Sequence, residues 1–214
     1  MCANYHPVTD PGRLAQYFGV DRPLDAVPPD LYPGGLAPFV VRDRAEQTRD
    51  VRMGLFGLLP HWAKDMAFGR RTYNARSETV TEKPSFREAW RQGRRCVIPA
   101  EAIYEPNWET GKAVRWSVAR KDNRPLGIAG LWDRWRGPDG REWLSFTMLT
   151  MNADAHPIFQ RLHRPGEEKR MVVMLDEADY DGWLEAQSSH LADYLRPYPA
   201  ASLQADPAPR RVSI

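Results

Sequence analysis

Through the middle of the chain, apolar and polar positions alternate in short runs bounded by Gly, Pro and Asp. The runs Ala37 to Arg42, Gly54 to Leu59, Arg95 to Pro99, Ala113 to Arg120, Leu126 to Trp132, Trp143 to Thr150 and Arg170 to Leu175 read as strands. Two of them carry a clean two-residue period, Val114/Trp116/Val118 and Leu144/Phe146/Met148, as in a strand with one face on a core. Gly137-Pro138-Asp139-Gly140 is a turn that joins Leu126–Trp132 to Trp143–Thr150 as a hairpin. Helical spacing is confined to the flanks. Arg13 to Gly19 follows Asp10-Pro11, with Leu14, Tyr17 and Phe18 on one face. Pro84 to Arg91 places Phe86, Ala89 and Trp90 inward and ends at Gly93. Asp176 caps a closing helix with Tyr180, Trp183 and Leu184 inward. Strands in the middle and helices at the edges predict an α+β fold built on a mainly antiparallel, barrel-like sheet, and not an alternating βαβ chain.

The 214 residues contain no internal repeat or linker-like tract, so they read as a single domain. Its core runs from about residue 2 to 185, with a C-terminal tail from about 186 to 214. Hydrophobic residues make up 42% and charged residues 27%, and the formal net charge is only +2. That balance excludes a polycationic tail protein and a disordered chain. Mean hydropathy is −0.61 and the most apolar stretch, Met53 to Ala63, is interrupted by Pro60 and His61, which leaves no membrane span and no secretory signal. Cys2 and Cys96 are too few for a disulfide framework or a four-thiolate zinc site, so the expected setting is the reducing cytoplasm, with no cofactor and no metal. Cys96, in an apolar run, reads as core.

Four segments carry candidate chemistry. Removal of Met1 before a small residue leaves Cys2 with a free α-amine beside its thiol. An α-amine titrates at about 7.7–8.0, so it is partly unprotonated at neutral pH and condenses with aldehydes. The thiol then closes a five-membered thiazolidine, favoured because the step is intramolecular. Tyr73-Asn74-Ala75-Arg76-Ser77-Glu78-Thr79 offers an amide at Asn74 and a phosphate-gripping guanidinium at Arg76, or else a surface turn with an ion pair. In Arg94-Arg95-Cys96-Val97-Ile98-Pro99-Ala100-Glu101-Ala102-Ile103-Tyr104-Glu105 a buried strand leaves Glu105 near its end, as a general acid or base if partly buried. His156 and His163, flanked by Arg161 and Arg164, precede the apolar run Met171 to Leu175, and either histidine can shuttle protons.

In this order, Met1-Cys2, Asn74-Ala75-Arg76-Ser77-Glu78, Arg95-Cys96-Val97-Ile98-Pro99-Ala100 with Tyr104-Glu105, His163 before Arg170-Met171, and Gly57-Leu58-Leu59-Pro60-His61-Trp62-Ala63 resemble the SOS response-associated peptidase (SRAP) domain from Cys2 to about Trp183. The resemblance implies a protein that binds abasic sites in single-stranded DNA and crosslinks to them through a thiazolidine at Cys2. It further implies abasic-site lyase activity, crosslink reversal and self-removal of the N-terminal Met. Asn74 would orient the Cys2 amine, Arg76 would hold the phosphate beside the lesion, and Glu105 and His163 would form the acid/base pair. His163 is preferred to His156 because it lies nearer Arg170-Met171.

The chain departs from that family in four places. Cys2-Ala3-Asn4 lacks the positive charge usual two residues after the Cys, Pro106 stands where an aromatic residue is usual and Phe56 where Trp is common, and Pro165 to Lys169 separate His163 from Arg170. Basic residues interleave with aromatics around the same segments, namely Trp62, Phe68, Trp90 and Trp108 with Arg71, Arg161 and Arg164, which suits single-stranded DNA. Trp116, Trp132, Trp143 and Trp183 are assigned to the core. The protein is expected to act as a monomer. Two other classes compete: a thiol peptidase or amidase using Cys2, His163 and Glu105, and a non-catalytic barrel that binds single strands.

Overall fold

Asp10 accepts a hydrogen bond from the Arg13 backbone N–H and Pro11 pre-sets the first turn, so a helix follows at once. In this computed structural model, which describes residues 2–21, 27–186 and 188–209, that helix lies between the first two strands. The elements in chain order are β1 (Asn4–Pro7), α1 (Pro11–Phe18), β2 (Leu36–Asp43), β3 (Thr48–Phe56), β4 (Asn74–Arg76), α2 (Arg87–Arg91), β5 (Arg95–Asn107), β6 (Val114–Arg120), β7 (Leu126–Arg136), β8 (Glu142–Asn152), β9 (Arg170–Val172), β10 (Met174–Leu175), α3 (Tyr180–Glu185) and β11 (Leu203–Pro207).

Strands β7, β8, β3, β2 and β5 close into a five-stranded barrel. β2 and β3 form a hairpin from Leu36↔Leu55 to Asp43↔Thr48, β2 meets β5 at Val40↔Val97, and β5 pairs with β7 from Arg95↔Leu131 to Ala100↔Leu126. The ring is antiparallel except where β3 runs parallel to β8; β4 adds a second parallel pairing on β8. Neighbouring residues on each strand serve two cores. Phe39, Ile98, Ile128, Phe146 and Met148 pack with one cluster, while Val40, Val97, Ala129 and Leu149 pack under Leu14, Phe18, Trp90 and Trp183. The barrel strands are therefore buried on both faces, one side filling the ring and the other roofed by the helices.

The expected fold class is found, with local differences. The strand expected over Gly54 to Leu59 begins earlier and stops at Phe56, because Gly57 turns at φ +126° and packs its backbone against Gly69, where a Cβ would collide with the Gly69 carbonyl. The helix expected from Pro84 is confined to Arg87–Arg91; Phe86 keeps a non-helical φ of −123° and offers no capping side chain. Asp176 stands before a single 3-10 turn and not at the helix itself, although Tyr180, Trp183 and Leu184 face inward as expected. Leu203–Pro207, in the segment read as a tail, pairs with β6 as β11. Among the tryptophans assigned to the core only Trp183 is fully buried, its indole N–H donating to the Cys96 carbonyl. Trp116, Trp132 and Trp143 are half-buried at the margins, whereas Trp135 is buried and donates to the Ala63 carbonyl. No helix among the described residues is long and apolar enough to cross a membrane.

Candidate active site

β5 is the element that organises the site. Its 13 residues outrun the barrel, and the end beyond Ala100 carries β1 on one edge and β6 on the other. The pairing Asn4↔Tyr104 brings the start of β1 beside the end of β5, so Cys2 arrives next to Glu105. Met1, whose removal the sequence reading expects, lies outside the described residues. β4 contributes Asn74 from its parallel pairing on β8, where Asn74 stands opposite Met148. Its side-chain Nδ2 donates to the Cys2 carbonyl at 2.7 Å. The Asn74 amide thus reaches the carbonyl of Cys2, while its Oδ1 is buried with no hydrogen-bond partner among the described residues.

His163 reaches the same place from a loop fastened to the end of β5. Its backbone N–H donates to the Pro106 carbonyl at 2.7 Å, Leu162 bridges Asn107, and Asn107 in turn donates to the Arg161 carbonyl. His163 itself adopts a left-handed φ of +66°, uncommon for a residue with a side chain and found where surrounding contacts hold it. The result sets His163 Nε2 2.9 Å from Glu105 Oε2, with the residues 6% and 2% exposed. His156 is engaged elsewhere. Its Nε2 lies 2.9 Å from the Tyr198 carbonyl and its Nδ1 accepts the backbone N–H groups of Ile158 and Phe159.

The thiol of Cys2 is buried and donates to the Asn4 carbonyl at 3.5 Å. Burial, followed by the neighbouring Glu105 carboxylate, pushes its pKa well above the ordinary thiol value. The phenol of Tyr73 is likewise pushed up, first by burial and then by Cys2 and Glu105. Four predicted residues, Cys2, Asn74, Glu105 and His163, are therefore brought together from four distant parts of the chain.

The predicted DNA-contacting residues fall around them in two groups. Trp62, 44% exposed, packs edge-on against Phe68, and Arg71 lies over the same ring, in the segment leading into Asn74. On the other side, Arg161 lies over Trp116 and pairs with Glu109, and Arg164 lies over Trp108, flanking His163. Arg76 is half-exposed and paired with Glu168 at 2.7 Å. Trp90 does not join either platform, being buried against Trp183.

Sequence reasoning missed Arg115. Its register opposite Pro106 carries the guanidinium to Asn4 Oδ1 at 3.0 Å and to Asp30, stacked 3.4 Å over Tyr104. A guanidinium from β6, paired with Asp30, thus stands against Asn4 two residues from Cys2. Nothing in the local pattern marks Arg115, since only the pairing of β6 with β5 directs it there. A cavity of about 600 Å³ opens beside Glu105, walled by Asn4, Tyr32, Tyr104, Pro106 and Arg115. Among the described residues no group of three metal-binding side chains converges.

Fold and site together define a five-stranded barrel with a buried cysteine, carboxylate and imidazole and a partly buried amide at one end. The family model for the SOS response associated peptidase (SRAP) matches residues 1–214, and the chain belongs to that family. A crystal structure of a protein from Bordetella bronchiseptica superposes with a TM-score of 0.90 at 42% identity, covering 97% of this chain and 99% of the other. A Bacteroides thetaiotaomicron structure, at 22% identity and a TM-score of 0.78, shares the fold over 95% of this chain and 90% of its own. The abasic site processing protein YoqW of Bacillus subtilis (strain 168) is 31% identical over 154 residues, 70% of this chain and 65% of its own length. The abasic site processing protein HMCES of Pongo abelii is 28% identical over 68% of this chain and 48% of its own. The chain thus spans just under two thirds of the bacterial relative and about half of the vertebrate one.

Proposed function

We propose that this protein processes abasic sites in DNA by trapping them covalently in single strands, acting as a monomer in a reducing cytoplasm. The observation that carries the reading is the convergence of Cys2, Asn74, Glu105 and His163 at one end of the barrel. Once Met1 is removed, the freed amine of Cys2 adds to the aldehyde carbon of the ring-opened sugar. The buried Asn74 Oδ1 is the acceptor available to orient that amine. Glu105 and His163 move the protons that let the carbinolamine expel water and become an imine. The Cys2 sulfur then attacks the imine carbon and its proton passes to the nitrogen. Aldehyde plus aminothiol give a thiazolidine and one water. Reversal of these steps releases the DNA, and elimination from the imine is the lyase branch.

A raised thiol pKa favours this order, amine first and sulfur second. It disfavours a peptidase, whose thiolate needs an electropositive setting and not a carboxylate neighbour. The two basic-aromatic groups, Trp62 with Arg71 and Arg161 with Arg164, and the guanidinium of Arg76 would guide the strand across the site.

An abasic oligonucleotide mixed with protein beginning at Cys2 should give a species on denaturing gels whose intact mass is the sum of the two less one water. Cys2→Ala and N-terminal acetylation should each abolish it. Mature protein that forms no adduct overturns the reading. Hydrolysis that survives acetylation would instead support the peptidase, and salt-steep binding of intact strands without any adduct would support the non-catalytic barrel.

A further inference from the structure

At the opposite end of β5 from Glu105 lies a second concave site, of about 350 Å³, walled by Arg42, Arg44, Arg94, Arg95, Gln92 and Trp132. Two of its four guanidiniums are neutralised. Arg42 pairs with Glu185 at 2.8 Å and Asp181 at 3.7 Å, and Arg94 pairs with Asp133. Arg44 and Arg95 have no carboxylate partner among the described residues. Arg95 is only 5% exposed, yet its Nε has no hydrogen bond among the described residues. Its guanidinium lies 5.8 Å from the ring centres of both Trp90 and Trp183, which offsets part of its desolvation. Burial, and after it the neighbouring Arg44, holds Arg95 below the usual arginine range.

Both uncompensated guanidiniums converge on Gly93. A Cβ at that position would stand 3.2 Å from Arg95 Nη1 and 3.5 Å from Arg44 Nη2, and the glycine's φ of +65° disfavours any side chain there. The floor between the two forks is therefore bare backbone. A buried cation with no internal counter-charge is costly, and two forks over one bare glycine match the several oxygens of a tetrahedral phosphate anion.

We infer that this cleft is an oxyanion site that takes a phosphate group, gripped by Arg44 and Arg95 above Gly93. The phosphate is either a free ion or a phosphodiester of a nucleic-acid strand. The inference uses none of Cys2, Asn74, Glu105 or His163, and it stands or falls apart from the reading of that site.

Titration with inorganic phosphate at constant ionic strength, read by tryptophan fluorescence and by Tm, should show saturable binding and a rise in Tm. Arg44→Glu, at an exposed position, puts a carboxylate near Arg95, so it should melt at or above the parent without phosphate and bind phosphate at least about tenfold more weakly. Arg44→Gln should fall between them. Titration with an intact oligonucleotide separates the sources. If a strand supplies the phosphate, Arg44→Glu also weakens the oligonucleotide and lowers its salt slope by about one. If the ion is free, oligonucleotide binding is unchanged while phosphate binding is lost. Absence of saturable phosphate binding by the parent, or binding that Arg44→Glu retains in full, overturns the inference.

Discussion

At the Glu105 end of β5 a buried carboxylate meets an imidazole at 2.9 Å and a thiol delivered by β1; at the Arg95 end a buried guanidinium meets two indole faces and a second guanidinium. The same strand, buried without a break from Arg95 to Ala100, thus ends in an internally paired site on one side and an uncompensated cation on the other. A third buried charge calibrates both. Arg170 lies almost wholly buried and is held by both oxygens of Glu78, by Glu168 and by the Thr150 carbonyl. It closes the loop that delivers His163. The comparison teaches that burial alone does not say what a charge is for; the partners that meet it do. Arg170 meets two carboxylates within the chain and reads as a structural clasp, although its Nε, like that of Arg95, has no hydrogen bond among the described residues; Arg95 meets no carboxylate there and reads as a binding group.

The largest effect is expected at the Glu105 end. Glu105→Gln should slow adduct formation with abasic oligonucleotide by about 10²- to 10⁴-fold, as loss of a proton-transfer group does, with the fold retained. Quenched time courses on denaturing gels would measure it, and an unchanged rate would deny that end its chemistry. Stability should then separate the two arginines. Arg170→Met removes a charge that two carboxylates and a carbonyl satisfy, and should cost about 3 kcal/mol. Arg95→Met keeps the stem between the indoles and removes a charge without a partner, so it should shift stability by less than about 1.5 kcal/mol in phosphate-free buffer. Denaturant unfolding of both variants gives the answer, and equal costs would break the contrast.

The smallest effect concerns the two thiols, one near each end of β5. Burial raises both, Cys96 by burial alone and Cys2 by burial and then Glu105. An unfolded thiol releases its proton near pH 8.5, while the folded protein retains it. Stability is therefore full below that pH and falls as pH rises through it, by about 1 kcal/mol per thiol between pH 7.5 and 9.5. Denaturant curves at the two pH values check this. The decline should shrink in Cys2→Ala, and a parent whose stability does not fall would contradict the burial of the thiols.

Legibility followed the range of the interactions involved. The Gly137–Gly140 turn and the Asp10-Pro11 cap are local chemistry and appear where the residues put them. The end of the Gly54 strand differs from the local pattern because a tertiary contact decides it: Gly57 must turn to pack on Gly69. Trp132 and Trp143 share the apolarity of Trp135, yet only Trp135 finds a buried carbonyl for its indole N–H. The choice between His156 and His163 rested on proximity to Arg170 in sequence. In three dimensions it rests on the Tyr198 carbonyl taking one imidazole and Glu105 facing the other.

Residue types and their order, by themselves, determined the sheet-rich class and the local turns and singled out Cys2, Asn74, Glu105 and His163 as candidates, because side-chain reactivity and two-residue periodicity are properties of short stretches. Only the tertiary structure decided that Cys2 stands beside Glu105, that Arg115 reaches Asn4, and that Arg44 and Arg95 meet over Gly93. Strand register and barrel closure set those distances, and both depend on packing between residues far apart in the chain.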